Sequence, residues 1–133
     1  MRKIQTVRFP GSISTLESFL AQLDPKLSKK LIQQIAVLRE VKDCDLKEPH
    51  YKHFSLERYS RFYELREKKK ILVRIIFTIH KGNILLIHPF VKKQGRDTMR
   101  ALDQAVRILA EVEAQPELIA ECCFWGDEIY VCS

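Results

Sequence analysis

Between residues 71 and 91 the chain has almost no choice of structure. Ile71, Val73, Ile75, Phe77 and Ile79 alternate with positions that include Arg74, Thr78 and His80. Successive strand side chains point to opposite faces, so this period of two predicts a strand over 71–80. One of its faces is core, and the other carries Arg74. Lys81-Gly82 follows as a turn, and a second apolar run covers 83–91. So short a connection permits only an antiparallel hairpin. Residues 61–67 read as a third strand.

The flanking segments change period. Ser14-Thr15-Leu16-Glu17 is a capping box, and Leu16, Phe19, Leu20 and Leu23 follow at helical spacing. Asp24-Pro25 starts a second helix, with Leu27, Leu31, Ile35 and Leu38 on one face to about Val41. Residues 42–59 are polar with scattered aromatics and read as loop. Asp97 is placed to cap a third helix lined by Met99, Leu102, Val106 and Leu109, which Gln115-Pro116 ends. Trp125-Gly126-Asp127 reads as a turn between two short apolar runs. The fold class expected is therefore α+β: two N-terminal helices, an antiparallel sheet of three to four strands, a C-terminal helix, and an extra tail strand or hairpin. The helices should pack on one side of the sheet. At 133 residues this is one domain, 1–133.

Charge is unevenly distributed. Residues 42–100 hold 15 Lys and Arg against 7 Asp and Glu, whereas residues 101–133 hold 1 against 7. A basic segment attracts polyanions through steering and counterion release. The acidic tail either sits elsewhere or screens that basic face by folding over it. The longest apolar stretch, Ile71 to Ile79, is broken by Arg74 and is far short of a bilayer span. Met1-Arg2-Lys3 does not lead into the apolar run of a signal peptide. A cytoplasmic protein with no membrane partner is expected. Cys44, Cys122, Cys123 and Cys132 contain no C-x-x-C pair and read as reduced packing residues.

No glycine-rich phosphate loop, Ser/His/Asp motif or metal-ligand spacing occurs, so no cofactor and no metal is expected. What remains is a set of cations and one carboxylate near the sheet. With the hairpin turn centred on Lys81-Gly82, Arg74 faces Pro89 and Ile75 faces His88, which makes His88 a core histidine. Val91 and Lys93 then share the Arg74 face, and Lys92 points away. A one-residue bulge would swap them. Glu64 and Arg66 join Arg74 if Leu65 faces the core. The open sheet face thus carries Arg66, Arg74, Lys93 and Glu64. Such a cluster is either a solvated face with cross-strand ion pairs, such as Glu64 with Arg74, or a phosphate site.

At these residues the sequence resembles the RelE/HigB superfamily of toxins from type II toxin–antitoxin systems, in particular its phage-derived HigB-like branch. The matching pieces are Tyr63-Glu64-Leu65-Arg66, Val73-Arg74-Ile75-Ile76-Phe77 and Ile84-Leu85-Leu86-Ile87-His88-Pro89-Phe90-Val91-Lys92-Lys93. They are followed by a helix and preceded by two helices and Pro49. The resemblance covers a core of about 12–114 and leaves 115–133 as an extra acidic tail. It implies a RelE-like fold and a ribosome-dependent, metal-independent endoribonuclease that cleaves mRNA by 2′-hydroxyl attack. It also implies a cognate antitoxin, often a helix-turn-helix protein. By resemblance Arg74 binds the scissile phosphate, Lys93 is the general acid, and Arg66 and Lys92 complete the catalytic set. Lys52, Glu64, Arg61 and Arg96 are the further residues expected at the RNA. The superfamily also contains non-catalytic members, including gyrase poisons, so a binder on the same scaffold is the alternative. The sequence departs from the branch at Arg61-Phe62, at Gln94-Gly95-Arg96-Asp97-Thr98, and in having no Tyr or His in the third helix.

Overall fold

A computed structural model describes residues 1–67 and 73–132. Ile71 and Leu72, the start of the strand expected over 71–80, lie outside the described residues. In chain order the elements are β1 (Ile4–Val7), α1 (Thr15–Ala21), α2 (Pro25–Val37), β2 (Tyr51–His53), β3 (Phe62–Glu67), β4 (Val73–His80), β5 (Asn83–Val91), α3 (Arg96–Ala114), β6 (Ile119–Trp125) and β7 (Glu128–Val131). Among the described residues no helix is long and apolar enough to cross a membrane.

The two N-terminal helices begin where their caps predict. Ser14 is fully buried; its Oγ accepts the Glu17 amide at 3.1 Å and donates to Glu17 Oε1 at 3.0 Å. Asp24 accepts the amides of Lys26 and Leu27, with Pro25 at the first helical position. Ser14→Ala removes an acceptor from a helix end and leaves the Glu17 amide without its cap. About 1 kcal/mol of stability should be lost. Urea unfolding would read this as a lower midpoint at unchanged slope.

The sheet is larger than expected and mixed. Seven strands run in the order β2-β3-β4-β5-β1-β6-β7, with β1 parallel to β5 and the other pairs antiparallel. Two additions explain the difference. Residues 4–7 form a strand of their own, with Ile4 and Thr6 turned to one face and Val7 to the other. Tyr51–His53, in the stretch read as loop, extends the edge beside β3. Both are too short to carry a period.

The helices do not share one side. On one face α1 and α2 bury Leu16, Leu20, Leu31 and Ile35 against Leu65, Ile75, Phe77 and Leu86. On the other, α3 buries Leu102, Ala105 and Leu109 against Phe62, Ile76, Leu85 and Ile87. Even positions of β4 are therefore core as well, which accounts for the apolar Ile76 that a one-sided sheet leaves unexplained. Met99 and Val106, expected on the buried stripe of α3, are 40% and 39% exposed. The stripe runs instead through Ala101, Leu102, Ala105, Leu109 and Val112.

The β4–β5 hairpin forms as predicted around Lys81 and Gly82, whose φ values of 51° and 81° make the tight turn that matches strand twist. Its register does not stay regular. Phe77 faces Leu86 but Ile76 faces His88, so Ile87 is an extra residue in β5. Beyond this bulge every partner moves by one. Arg74 faces Phe90 rather than Pro89, and Ile75 faces Pro89 rather than His88. His88 leaves the α1–α2 core face and shares a row with Ile76, on the α3 side. Its half-burial there holds the imidazole below its ordinary pKa.

The tail forms the predicted hairpin, β6–β7, but not over the basic segment. β6 pairs with β1, at the opposite end of the sheet from β2 and β3. Asp127 there accepts Lys29 Nζ at 3.1 Å and Gln33 Nε2 at 3.4 Å from α2. Of the two alternatives for the acidic tail, strand order thus favours the one in which it sits elsewhere. The cysteine reading is corrected. Cys123 and Cys132 are joined by a disulfide, because they lie diagonally across the hairpin with Cα atoms 6.5 Å apart. Cys44 and Cys122 are free thiols. Cys122 points into the core, and burial pushes its thiol up to about 12.

Candidate active site

Strand pairing on the α3 side lays out two rows across the sheet. Lys52, Glu64, Ile76 and His88 are successive partners in the first. Arg66, Arg74 and Phe90 are successive partners in the second. Two arginines directly opposite each other repel. Glu64, one step along β3, relieves this: its Oε1 lies 3.0 Å from Arg66 Nε and 3.4 Å from Arg74 Nε.

The three side chains differ in access. Glu64 is 2% exposed and Arg74 6%. The Arg74 guanidinium also donates to the carbonyls of Val73 (3.2 Å) and Glu67 (3.4 Å). Burial lowers its pKa, the Glu64 charge opposes that shift, and the neighbouring Arg66 charge adds to it. Arg66 is half-buried and reaches outward to Glu48 at 3.4 Å. The face is therefore not open, as the sequence implied. Arg74 is walled in behind Glu64, and Arg66 is the arginine that meets solvent.

In front of Glu64 and Arg66 lies a cavity of about 350 Å³. Lys52, Phe54, Tyr59 and Lys92 line it from the sheet side, and Gly95, Thr98, Met99 and Leu102 from the start of α3. Glu64 lines the cavity, and its Oε2 is buried with no hydrogen-bond partner. Three cations thus surround one carboxylate that still has an acceptor free. An anion with a nearby hydroxyl fits that donor and acceptor set.

The bulge decides which lysine belongs here. Lys92 lines this cavity, while Lys93 lines a neighbouring groove with His88 and Phe90. That reverses the expectation that Lys93 joins the arginine face and Lys92 leaves it. Arg61 is also elsewhere. It stands before β3 and makes a bidentate pair with Glu113 near the end of α3, at 2.8 and 3.2 Å. Arg96 opens α3 as an exposed residue and is not among those lining the cavity. Lys52, Glu64, Arg66 and Lys92 are the predicted residues brought together.

Sequence reading missed Tyr59, which also lines the cavity. Tyr59 is buried, carries Arg58 over its ring at 4.6 Å, and donates its hydroxyl to Asp103 of α3. That bond to a carboxylate raises the phenol's pKa, with burial adding to it. Nothing in the polar stretch 42–59 marks Tyr59 in advance, since its partner is 44 residues away.

The loop that carries Lys92 is held from the helix. Asp97 Oδ2 accepts the amides of Lys93 and Gln94, both at 2.8 Å. Asp97 thus serves the start of α3 from inside the first turn, with Gly95 as the capping residue. These two bonds, ahead of the nearby Arg100 and Arg96 charges, lower its carboxyl pKa. A depressed carboxyl pKa contributes stability above its unfolded value, which is lost as pH falls through the folded one. Exchange protection of the Lys93 and Gln94 amides should therefore persist at neutral pH and disappear only below the ordinary carboxylate range. In Asp97→Ala it should be absent at neutral pH. Hydrogen exchange followed by NMR checks both.

Among the described residues no three His, Cys, Asp or Glu are grouped to hold a metal ion. No curated protein and no solved structure matches the chain significantly. Residues 18–110 match the family described as Phage derived protein Gp49-like (DUF891), a span that runs from α1 through most of α3 and contains the whole cavity. By that match the chain belongs to the phage-derived Gp49-like family.

Proposed function

We propose that this chain is a metal-independent endoribonuclease that cuts mRNA on the ribosome, the HigB-like toxin of a toxin–antitoxin pair. The observation that carries this reading is the cavity itself, where Lys52, Arg66 and Lys92 converge on a buried carboxylate with an unpaired oxygen. Arg66 and Lys52 bind the scissile phosphate and stabilise the charge that builds on it. The attacking 2′-hydroxyl gives its proton to Glu64 Oε2. The O2′–P bond forms and the P–O5′ bond breaks. Lys92 gives a proton to the leaving 5′-oxygen. The products are a 2′,3′-cyclic phosphate and a 5′-hydroxyl. DNA, which lacks the 2′-hydroxyl, is not cut.

Arg74 is a positioning residue in this scheme. Buried at 6% exposure, it fixes Glu64 from behind and does not touch RNA. The family position that binds phosphate by resemblance is thus supplied by Arg66, and the acid by Lys92 in place of Lys93. The protein works in the cytoplasm, and a helix-turn-helix antitoxin is the partner proposed to silence it.

Pulse labelling after tightly controlled induction in a bacterial host tests this. Methionine incorporation should collapse with the wild type, thymidine incorporation should persist, and Arg66→Ala should spare both. Loss of thymidine incorporation first would point to a gyrase-type target and overturn the nuclease reading. So would no effect on either.

A further inference from the structure

The bulge at Ile87 creates a second feature that the cleavage chemistry does not use. It turns His88 onto the α3 side, two residues from Phe90. Their rings lie 6.1 Å apart between centroids and 21° from parallel, a stacked pair whose partly exposed rings can serve as an aromatic platform. Both rings are half-buried, which fixes them while leaving part of each accessible. The platform borders a groove of about 430 Å³, whose other wall is Lys93, Asp97, Arg100 and Gln104. Lys93 and Arg100 are exposed cations. Asp97, the groove's acidic member, already has Oδ2 engaged by two amides. Burial keeps the His88 imidazole below its ordinary pKa, so near neutral pH it is an uncharged ring.

The groove and the cavity are neighbours along one track. Lys92 lines one and Lys93 the other. On α3, Thr98, Met99 and Leu102 serve the cavity while Asp97, Arg100 and Ala101 serve the groove. Flat rings flanked by cations and continuous with a phosphate site match the needs of a single-stranded nucleotide: a face on which a base stacks, and charges for its phosphate.

We infer that this groove is a subsite for the nucleotide next to the scissile phosphate, its base stacked on His88 and Phe90 and its phosphate held by Lys93 and Arg100. The inference rests on the reading of the cavity as an RNA site. It divides the labour between the two lysines: Lys92 serves the chemistry and Lys93 serves binding.

Fluorescence anisotropy with short labelled single-stranded RNA tests it, using 2′-fluoro nucleotides so that the probe cannot be cut. A matched probe with abasic positions removes the bases and keeps the phosphates. Phe90→Leu keeps an apolar side chain and removes the ring. It should weaken binding of the intact probe at least about fivefold and leave the abasic probe unchanged. Lys93→Ala should weaken both probes alike and lower the salt slope by about one. His88→Gln is a second ring-removing variant, in case Phe90→Leu is poorly folded by circular dichroism. If ring removal leaves the intact probe unaffected, or weakens both probes equally, the subsite is wrong. If Arg66→Ala still abolishes binding in that case, the reading of the cavity survives. If the wild type binds neither probe at low salt, the subsite falls, and the cavity reading is decided by the pulse labelling, where the ribosome is present.

Discussion

Glu64→Leu is expected to destabilise the protein by about 3–5 kcal/mol, because it leaves the Arg74 guanidinium buried with no counter-charge. Arg74 has little freedom to escape. It is 6% exposed, and its other contacts are backbone carbonyls of Val73 and Glu67. Arg66 differs, since it is half-buried and can swing outward toward Glu48. The loss should therefore come from Arg74 alone, and the double variant Glu64→Leu with Arg74→Leu should recover most of it. Replacing both partners by apolar groups removes the unpaired charge together with the need for one. Urea unfolding of the two singles and the double closes this cycle. Additive losses would mean that Glu64 and Arg74 do not depend on each other, and Arg74 could not then be the group that positions the carboxylate.

The second large effect falls on activity. Arg66→Ala should reduce RNA cleavage by at least about 100-fold, the scale expected when one preorganised donor to a developing oxyanion is removed. Lys92→Ala should cost about 10²–10⁴-fold as the loss of a general acid. Both side chains reach solvent, so the folded state should tolerate either change. Lys93→Ala should weaken RNA binding several-fold and leave the chemical step intact. A single-turnover rate measured with saturating mRNA-programmed ribosomes separates the two lysines, since binding losses vanish there and chemical losses remain.

The residues that carry these predictions were legible in the sequence to unequal degrees. The β4–β5 hairpin was readable because five alternating apolar residues and a Lys-Gly turn specify both the period and the connection. The caps at Ser14 and Asp24 were readable because a cap is a local interaction. The strand β1 was not, since its partners in β5, such as Ile84 for Ile4, lie far along the chain and the pairing is parallel. The bulge at Ile87 was not, because five consecutive apolar or aromatic residues, Ile84 to His88, allow either register. That one undetermined residue exchanged Lys92 with Lys93 and moved His88 between faces. The burial of Arg74 was hidden for a related reason. Strand alternation reports which face a side chain is on, and α3 decides whether that face is open. Arg61 and the tail show the same limit, since Glu113 and strand β1 claim them from distant parts of the chain.

We propose that Lys92, beside Arg66 and Glu64, takes part in metal-independent cleavage of RNA. Mapping the new 5′ ends of a reporter mRNA in cells, with wild type, Lys92→Ala and Lys93→Ala induced in parallel, tests it most directly. The ends should carry 5′-hydroxyls in the wild type, persist at reduced level in Lys93→Ala and vanish in Lys92→Ala. Undiminished 5′-hydroxyl ends with Lys92→Ala, or new ends bearing 5′-phosphates, would contradict it.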